Sequence, residues 1–451
     1  MRQFNLYGFM LVLLSLNACG GSSEAGLSNS ATSAPSNVQA IAGDGKAVIS
    51  WDEVSSAVSY NIYYSDSSGL TKALATKIED VTSPYVQDGL NEGDFLYYAV
   101  TASNNSGESA LSDEVRAILP PPRTGQTTSY DFASDEDEDG ELQKGFAWPT
   151  LRFRDNSDGT VTDMLTGLMW LKDMDSVVNK NWGDALVACN TLDHPESGHD
   201  DWRLPNIREI WSLIDYSQDR PALPSEGSVF DNIPNIAEDI FWTSTTDAQQ
   251  VTQAWFVDMR FGELSTAIKS TNSNTYVLPV RNDTTVVGLE IPVTGQDLSY
   301  ASTGGEDGDL QSGVFWPNPR FTDNGDDTVT DILTGLMWLN NVSAIPDGNS
   351  GSWFQALDRC EELIFPISGY GDWRLPNVRE LMSIIDYGQD ADLRLPPLNH
   401  FDNIQEDLYW TSTTSADEHD DAWVVDLGTG ELDTNYKYDA IYYIWPVRDA
   451  Q

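Results

Sequence analysis

The hexapeptide DWRLPN occurs at residues 201–206 and again at residues 372–377. Each copy continues into a similar segment, IREIWSLIDYSQD in the first and VRELMSIIDYGQD in the second. Of the 19 residues that begin at each aspartate, 14 are identical between the copies. Such a repeat marks either a duplicated functional site or a duplicated piece of scaffold, and its individual residues distinguish the two.

The motif carries the start signals of a helix. Asn206 is a good N-cap residue and Glu209 stands at the third helical position, which is a capping-box arrangement. Asn377 and Glu380 repeat it in the second copy. The apolar residues that follow recur at helical spacing: Ile207, Ile210, Trp211 and Ile214. Capping and packing therefore explain most of the motif as scaffold.

Capping and packing do not explain the arginines of the motif. Arg203 and Arg374 occupy its third position, and Arg281 and Arg448 close each copy in a Pro-Val-Arg tripeptide. In so acidic a chain, we expect them to be buried in ion pairs with Asp or Glu. The alternative is an exposed arginine beside a tryptophan, where it would suit the carboxylate of a glycan.

The motif is part of a longer duplication. TVTDMLTGLMWL at 160–171 and TVTDILTGLMWL at 328–339 share 11 of 12 residues, and WTSTT occurs twice. The offset between copies stays near 170 residues, which is too long for a solenoid repeat. We therefore predict two tandem domains, copy 1 at residues 124–286 and copy 2 at residues 294–451.

Each copy is predicted to open with a β-hairpin, continue through two helices and end in β-strands. On the first helix, Trp182, Ala185, Leu186 and Cys189 share one face, and Cys360 is the matching cysteine of copy 2. Since each copy holds one such cysteine, a disulfide within a copy is impossible. We expect two buried thiols.

The order of these motifs resembles that of the Lcl C-terminal domain family: TGLMW, then WRLPN with RE, WTSTT and a closing PVR. The resemblance implies an α+β fold similar to C-type lectin-like domains, in which two helices flank a small twisted antiparallel sheet. It also implies adhesion, with binding of sulfated glycans through a basic surface. Both copies here are acidic and lack the triplets with which calcium-dependent lectins hold sugar, so the ligand does not carry over.

Residues 34–120 have a different pattern. Short alternating segments at 46–51, 59–65 and 95–102 read as strands between turn-forming residues, which predicts an all-β sandwich. Trp51, the Tyr-Ile-Tyr alternation from Tyr60 and the segment GESALS resemble a fibronectin type III domain. Leu96 stands where that family usually has the tyrosine of its tyrosine corner. The resemblance implies a spacer or a protein-binding module.

The N-terminus predicts a lipoprotein. Arg2 and a short apolar run form a signal peptide over residues 1–18. The sequence Leu-Asn-Ala-Cys resembles the lipobox of bacterial lipoproteins, which implies lipidation of Cys19 and location at the outer membrane or cell surface. Residues 19–33 read as a flexible tether. The alternative is an ordinary secretory signal.

The charge balance restricts the classes of partner that the chain can bind. The chain has 71 acidic and 24 basic residues among 451, a formal net charge of −47. Such a surface repels nucleic acid and sulfated polymers and favours cations, neutral glycans or basic proteins. Contact with a membrane is expected through the lipid anchor alone.

One acidic segment suggests calcium. Asp135, Asp137 and Asp139 precede Gly140 with the spacing that begins an EF-hand loop, but Phe146 stands where the loop needs Glu. Copy 2 keeps a shorter version of the segment, in Glu306, Asp307 and Asp309. We predict a weak calcium site in these residues. The alternative is a solvated acidic loop.

A duplicated catalytic site is not expected. None of the four histidines aligns with a histidine of the other copy, which argues against a duplicated triad or zinc site. Three carboxylate pairs are shared by the copies, and we expect them in turns and at the surface: Asp215/Asp386, Asp258/Asp426 and Glu263/Glu431. We therefore predict a non-enzymatic protein that adheres through a glycan or protein ligand, held in the loops where the copies differ. The alternatives are a structural subunit of a surface assembly and a carboxylate-dependent glycan hydrolase.

Overall fold

The structure is a computed structural model of the 451-residue chain. It describes residues 32–43, 45–90, 96–130, 137–224, 229–234, 240–364, 369–397 and 400–450. Cys19 and Asp135 lie outside these ranges. Within them, none of the helices has both the length and the apolar character needed to cross a bilayer.

The first unit is a β-sandwich of two antiparallel sheets. One sheet has the order β1-β2-β5, and the other has the order β4-β3-β6-β7 with β8 also paired to β6. Its strands are β1 (Gln39–Gly43), β2 (Lys46–Ser50), β3 (Ser59–Ser65), β4 (Thr76–Val81), β5 (Tyr85–Asp88), β6 (Tyr97–Asn104), β7 (Gly107–Glu108) and β8 (Val115–Arg116). This arrangement is that of a fibronectin type III-like sandwich, as the sequence predicts.

The core of the sandwich is formed by alternate residues of both sheets. Ile49 of β2 and Ile62 and Val100 of the other sheet are completely buried. Trp51 packs on Tyr60 with ring centroids 5.2 Å apart. Leu96 lies in the same core. The sandwich is thus a closed unit with its own hydrophobic cluster.

Copy 1 follows with short helices and strands. Its elements are α1 (Asp139–Leu142), β9 (Phe153–Asp155), β10 (Thr160–Asp163), β11 (Leu168–Leu171), α2 (Trp182–Asn190), α3 (Ile207–Trp211), β12 (Ile240–Thr246), β13 (Gln253–Asp258), β14 (Glu263–Ile268), β15 (Thr275–Tyr276) and β16 (Val280–Asn282).

Copy 2 repeats this order and adds a short strand before its longer helix. Its elements are α4 (Asp307–Leu310), β17 (Phe321–Asp323), β18 (Thr328–Asp331), β19 (Leu336–Leu339), a 3₁₀ turn (Val342–Ala344), β20 (Ser350–Gly351), α5 (Trp353–Glu361), α6 (Val378–Ser383), β21 (Leu408–Thr414), β22 (Asp421–Asp426), β23 (Leu432–Tyr436), β24 (Tyr442–Tyr443) and β25 (Val447–Asp449).

The predicted caps and helix faces of the two copies are confirmed, but an additional short helix, α1 or α4, precedes the predicted hairpin in each copy. Asn206 and Asn377 each accept from the backbone N–H of the third helical residue in complete capping boxes, and Ser352 caps α5 in the same way. The buried face of α2 consists of the four residues expected. Cys189 and Cys360 are buried free thiols. Burial raises the pKa of both thiols, so they are protonated at neutral pH.

One large sheet joins the copies. In the described part of the chain, nine strands follow the order β15-β12-β13-β14-β23-β22-β21-β24-β20. The copies meet where Leu264 of β14 pairs antiparallel with Leu432 of β23. Each copy also has its own sheet of four strands, β16-β11-β10-β9 in copy 1 and β17-β18-β19-β25 in copy 2.

The hydrophobic core is continuous across the junction. One cluster of buried side chains contains residues of both copies. Tyr216 of copy 1 packs edge-on against Trp423 of copy 2 at 5.0 Å, and Trp255 packs on Tyr387 in the reciprocal contact at 5.1 Å. The contacts are reciprocal, as in an isologous dimer, although both halves belong to one chain.

The secondary structure of the described residues is mostly β. The α-helices span four to nine residues, and the rest of the ordered elements are strands and one 3₁₀ turn. The closer resemblance to C-type lectin-like domains stays a prediction.

Candidate functional sites

The N-terminal segments of the two copies are exchanged. We call residues 124–130 and 137–150 arm 1, and residues 294–318 arm 2. Asp139 of arm 1 accepts a hydrogen bond of 2.7 Å from Thr413, which lies in the WTSTT strand of copy 2. Asp307 of arm 2 accepts a 2.7 Å hydrogen bond from Thr245 of copy 1. Each copy therefore completes the other.

The neighbouring glutamates extend this exchange. Glu138 accepts from Thr414 of copy 2, and Glu306 accepts from Thr246 of copy 1. Each glutamate also accepts from the serine hydroxyl of its own arm, at 2.9 Å in arm 1 and 3.0 Å in arm 2. Both carboxylates are buried, and these donors replace the water that they lose on folding.

A lysine lies behind each exchanged glutamate, buried in copy 2 and half-buried in copy 1. Lys437 lies 4.0 Å from the ring centroid of Trp353 and donates to Thr414 at 2.6 Å. Lys269 lies 3.9 Å from the ring centroid of Trp182 and donates to Thr246 at 2.7 Å. In each copy, a hydrogen-bonded series of Lys, Thr and Glu brings opposite charges close together. Their attraction is strong because the surroundings have a low dielectric constant.

The residues of the predicted calcium site lie in different environments: some are buried against the other copy and others are accessible to solvent. Asp139 and Asp307 are completely buried against the threonines, and burial raises the pKa of each carboxyl to about 7. Asp309 is exposed and Asp137 is half-buried. No group of three or more His, Cys, Asp or Glu side chains in the described ranges is placed to hold a metal ion. Since Asp135 lies outside these ranges, calcium binding stays a prediction.

The glycine of the acidic segment has a local explanation. A Cβ atom on Gly140 would lie 2.0 Å from the carbonyl oxygen of Thr128, and one on Gly308 would lie 2.0 Å from that of Leu298. Close approach of two backbone segments within the arm therefore requires glycine. The glycine that makes this segment resemble a calcium loop is thus explained by backbone packing.

The arginines of DWRLPN hold the capping glutamates. Arg203 donates to both carboxylate oxygens of Glu209, at 2.5 and 2.6 Å. Arg374 makes the same two bonds with Glu380 at 2.6 and 2.7 Å and a third with Asp449 at 3.1 Å. The predicted ion pairing is confirmed for both; Arg374 is buried and Arg203 is half-buried.

The closing arginines return to the start of the motif. Arg281 makes a two-pronged ion pair with Asp201 at 2.6 and 3.1 Å, and Arg448 pairs with Asp372 at 2.7 and 2.9 Å. These pairs lock the last strand of each copy to the entry of its helix. With its asparagines in caps and its arginines in ion pairs, the motif is scaffold.

Two of the shared carboxylate pairs lie in turns, as expected, but they are less exposed than predicted. Asp215 accepts from Ser217, Asp386 from Gly388, and Asp258 from the backbone of Arg260. Asp215, Asp386 and Asp258 are each at most 6% exposed. Burial raises the pKa of Glu263 to about 7, with help from Asp433 and Asp258.

One exposed feature differs between the copies. Beside β23 and β24 of copy 2, a group of side chains that we call the aromatic patch consists of Phe354, Tyr436, Tyr438, Ile441 and Tyr442. Tyr436 and Tyr438 are 43% and 49% exposed and have ring centroids 5.3 Å apart. Phe354 lies 5.0 Å from Tyr438. Ile268 and Ser270 stand in copy 1 where copy 2 has the two tyrosines.

Acidic groups surround the aromatic patch. The pKa of Tyr436 is raised by desolvation and by the carboxylates of Asp420 and Asp439. The pKa of Tyr442 is raised by desolvation and by Asp407 and Asp433. Aromatic faces beside hydrogen-bond acceptors can recognise a ligand that has both apolar faces and hydroxyl donors. Nothing in the sequence pattern alone brings Phe354 to these tyrosines.

The fold and contacts define a β-sandwich followed by a reciprocal pair of mostly-β domains. The profile of the Lcl C-terminal domain family matches residues 159–281 and 327–448, together more than half of the chain. The chain belongs to the Lcl C-terminal domain family.

Other proteins are similar to a short part of the chain. An amylopullulanase of Thermoanaerobacter thermohydrosulfuricus is 43% identical over 83 residues, which are 18% of this chain and 6% of that protein. A solved Fn3-like protein from Clostridium thermocellum is 30% identical, over 20% of this chain and 96% of its own, with a TM-score of 0.19. The third fibronectin III domain of a human protein is 23% identical, over 23% and 90% of the two chains, with a TM-score of 0.17.

Proposed function

We propose that this chain is a lipid-anchored adhesion protein of the cell surface, whose paired Lcl domains bind a neutral glycan at the aromatic patch. The observation that carries the proposal is the exposure of adjoining aromatic rings on one copy. Contiguous exposed apolar surface on an otherwise polar protein marks a binding site. A lectin-like use of the Lcl domains is part of this proposal.

The chemistry of the patch favours a glycan without charge. The C–H faces of a sugar ring pack on Tyr436 and Tyr438, while its hydroxyls donate to carboxylates such as Asp420 and Asp439. Sulfated or phosphorylated glycans meet repulsion from these groups and from the net charge of −47. Tyrosine loses little conformational entropy when it binds, which suits a shallow surface site.

The rest of the chain suits presentation of such a site. The exchanged arms and the continuous core fix the copies relative to each other, so the patch stands on a rigid support. The sandwich acts as a spacer between this support and the tether at residues 19–33. Lipidation of Cys19 is tested by the Cys19→Ser variant, which should leave the membrane fraction; a variant that stays there contradicts the anchor.

A glycan array tests the binding function. The full chain with Cys19→Ser is applied with calcium and with a chelator, which also tests the predicted calcium site. We expect neutral glycans to bind, and Tyr436→Ala with Tyr438→Ala to lose the signal. The matched control is Ile268→Ala, at the equivalent place in copy 1, which should bind as the parent does. An array that stays silent under both conditions contradicts the glycan proposal and favours a structural subunit.

A further inference from the structure

A cavity of about 320 Å³ lies where the two copies meet the linkers that precede them. Its lining includes residues of the linker after the sandwich and of the segment before arm 2. Residues of α3 and α6 also line it, and so does Phe315, which is 68% exposed. The walls are mainly apolar, as is usual for a small-molecule site, and the volume is at the small end of the range of about 300–1,000 Å³.

Two buried arginines line this cavity. Arg208 and Arg379 are 6% and 2% exposed. Arg208 donates through Nη2 to the carbonyl oxygens of Ser383 and Ile385, and Arg379 donates through Nη2 to those of Ser212 and Ile214. Each arginine thus caps the carboxyl end of the equivalent helix in the other copy, where a positive charge is favourable.

These bonds leave the guanidinium groups incompletely paired. Within the described residues, no carboxylate accepts a hydrogen bond from Arg208 or Arg379, and the Nε atoms of both are buried without a partner. Asp386 and Asp215 act on them electrostatically but accept their hydrogen bonds from other residues. Buried donors without acceptors are costly. Nη1 of each arginine makes no hydrogen bond in the described residues, and an anionic ligand in the cavity would accept from it.

The remaining charge near the cavity is already balanced. Arg116 pairs with Glu290 at 2.8 Å, so this carboxylate is engaged by a different cation. Burial lowers the pKa of Arg208 and of Arg379 to about 10, and both therefore remain charged at neutral pH. The cavity presents two desolvated cations within apolar walls, in a chain whose net charge is −47.

We propose that the cavity binds a small amphipathic carboxylate such as a medium-chain fatty acid. Its carboxylate accepts hydrogen bonds from Arg208 and Arg379, and its apolar chain packs on Trp211, Leu333 and Phe315. This site is independent of the aromatic patch.

Calorimetry with decanoate tests the site. The full chain is used with Cys19→Ser, so that no attached lipid can supply an acyl chain. We expect decanoate to bind in a 1:1 ratio and the uncharged decanol to bind about tenfold more weakly or worse. Absence of decanoate binding, or equal binding of decanol, overturns the proposal.

Variants locate the bound molecule. Arg379→Gln keeps an amide donor for the helix end but removes the charge, and should weaken decanoate binding about tenfold or more while leaving decanol unchanged. The matched control is Arg359→Gln. Arg359 also donates to backbone carbonyls, those of Gly348 and Ser350, but does not line the cavity. Unchanged decanoate binding by a folded Arg379→Gln variant overturns the proposal.

A second variant covers the case in which Arg379→Gln does not fold. Leu333→Trp fills the cavity from its wall and leaves both arginines in place, so it should abolish binding of both ligands. Retained decanoate binding by this folded variant overturns the site. Tyr438→Ala should leave decanoate binding intact, so failure of the cavity and failure of the glycan proposal are distinguishable.

Discussion

Copy 1 and copy 2 have the same buried contacts where their arms cross, but different exposed side chains a few residues away. Thr246 and Thr414 each accept from a lysine and donate to a glutamate of the opposite arm. Next to those lysines, Ile268 occupies the position in copy 1 that Tyr436 occupies in copy 2. The lysine itself is retained at both places, and the residues on either side of it change.

This difference separates support from recognition. Each exchanged arm contacts a strand of the other copy. A change on either side of that contact therefore leaves a buried polar group unpaired in the other copy. An exposed side chain has no such constraint. The reciprocal pair therefore works as a fixed frame on which a single copy carries the aromatic patch.

The largest effect is expected when a motif arginine is removed. Arg374→Ala leaves Glu380, which is 1% exposed, charged and without its main partner. Loss of one partner of a buried ion pair costs about 3–5 kcal/mol. Arg203→Ala should cost less, because the Arg203 side chain is 14% exposed and that of Arg374 is 7% exposed.

Urea denaturation of the two variants measures this difference. Lys180→Ala, at an exposed position of copy 1, is the control and should change the unfolding free energy by about 0.5 kcal/mol or less. Equal effects of Arg203→Ala and Arg374→Ala would show that the greater burial in copy 2 has no energetic consequence.

The second prediction concerns pH and the exchanged aspartates. The folded-state pKa of Asp139 and Asp307 is about 7, well above the ordinary value of about 4. Between these values the two aspartates hold more protons in the folded chain than in the unfolded chain, so their contribution to stability is fully present below about pH 4 and is lost as pH rises through 7. Each carboxyl contributes a slope of at most about 1.4 kcal/mol per pH unit.

Asp139→Asn and Asp307→Asn should each remove this loss of stability between pH 4 and 7, by similar amounts, because the two arms make equivalent contacts. Unfolding free energies measured across this range test the prediction. The control is Asp309→Asn, on the exposed side of α4, which should leave the slope unchanged. If the variant that carries both substitutions keeps the pH dependence of the parent chain, the two aspartates do not hold protons in the folded state.

The third prediction concerns the asparagines that cap α3 and α6. Asn206 also donates to the carbonyl oxygen of Ser312 at 2.9 Å, and Asn377 to that of Lys144 at 3.2 Å, in the arm of the other copy. Replacement by alanine loses the cap and this bond, so we expect a cost of about 1–2 kcal/mol at each site. Ser352→Ala removes a cap whose side chain makes no hydrogen bond to an arm in the described part of the chain, and it should cost less. Thermal unfolding of the three variants would contradict a coupled role if all lose the same stability.

Sequence reasoning reached the local structure because its causes are local. The caps at Asn206 and Asn377, the buried face of α2 and the β-hairpin of each copy follow from residue spacing within a few turns. The pairing of Arg374 with an acidic residue also followed, because a buried cation requires one. The partner, Glu380, was already visible as the capping residue.

The exchange of the arms was not visible in the sequence, for a physical reason. Because the copies are nearly identical here, Thr245 and Thr413 present the same hydroxyl to either arm, and composition alone cannot tell an own-copy contact from a crossed one. The acidic arm residues therefore suggested calcium, whereas Asp139 and Asp307 accept from threonines. The cavity was not predictable from the sequence either. Arg208 and Arg379 lie on helices whose spacing predicts only a buried apolar face.

The smallest effect on stability, and the sharpest test of the comparison, comes from grafting the aromatic patch onto copy 1. Gly183→Phe, Ile268→Tyr and Ser270→Tyr place three of the four rings of the patch, those of Phe354, Tyr436 and Tyr438, at the equivalent positions. A Cβ atom on Gly183 would have its nearest neighbour at 3.6 Å, an ordinary contact, and Ile268 is 59% exposed. Stability should therefore change by about 0.5 kcal/mol or less. If the patch is sufficient for glycan binding, the grafted chain gains a second site, and the number of glycan molecules bound per chain in calorimetry rises from one to two. A folded graft that still binds one glycan would show that recognition depends on copy 2 side chains beyond these rings, with Asp420 and Asp439 the first to transfer.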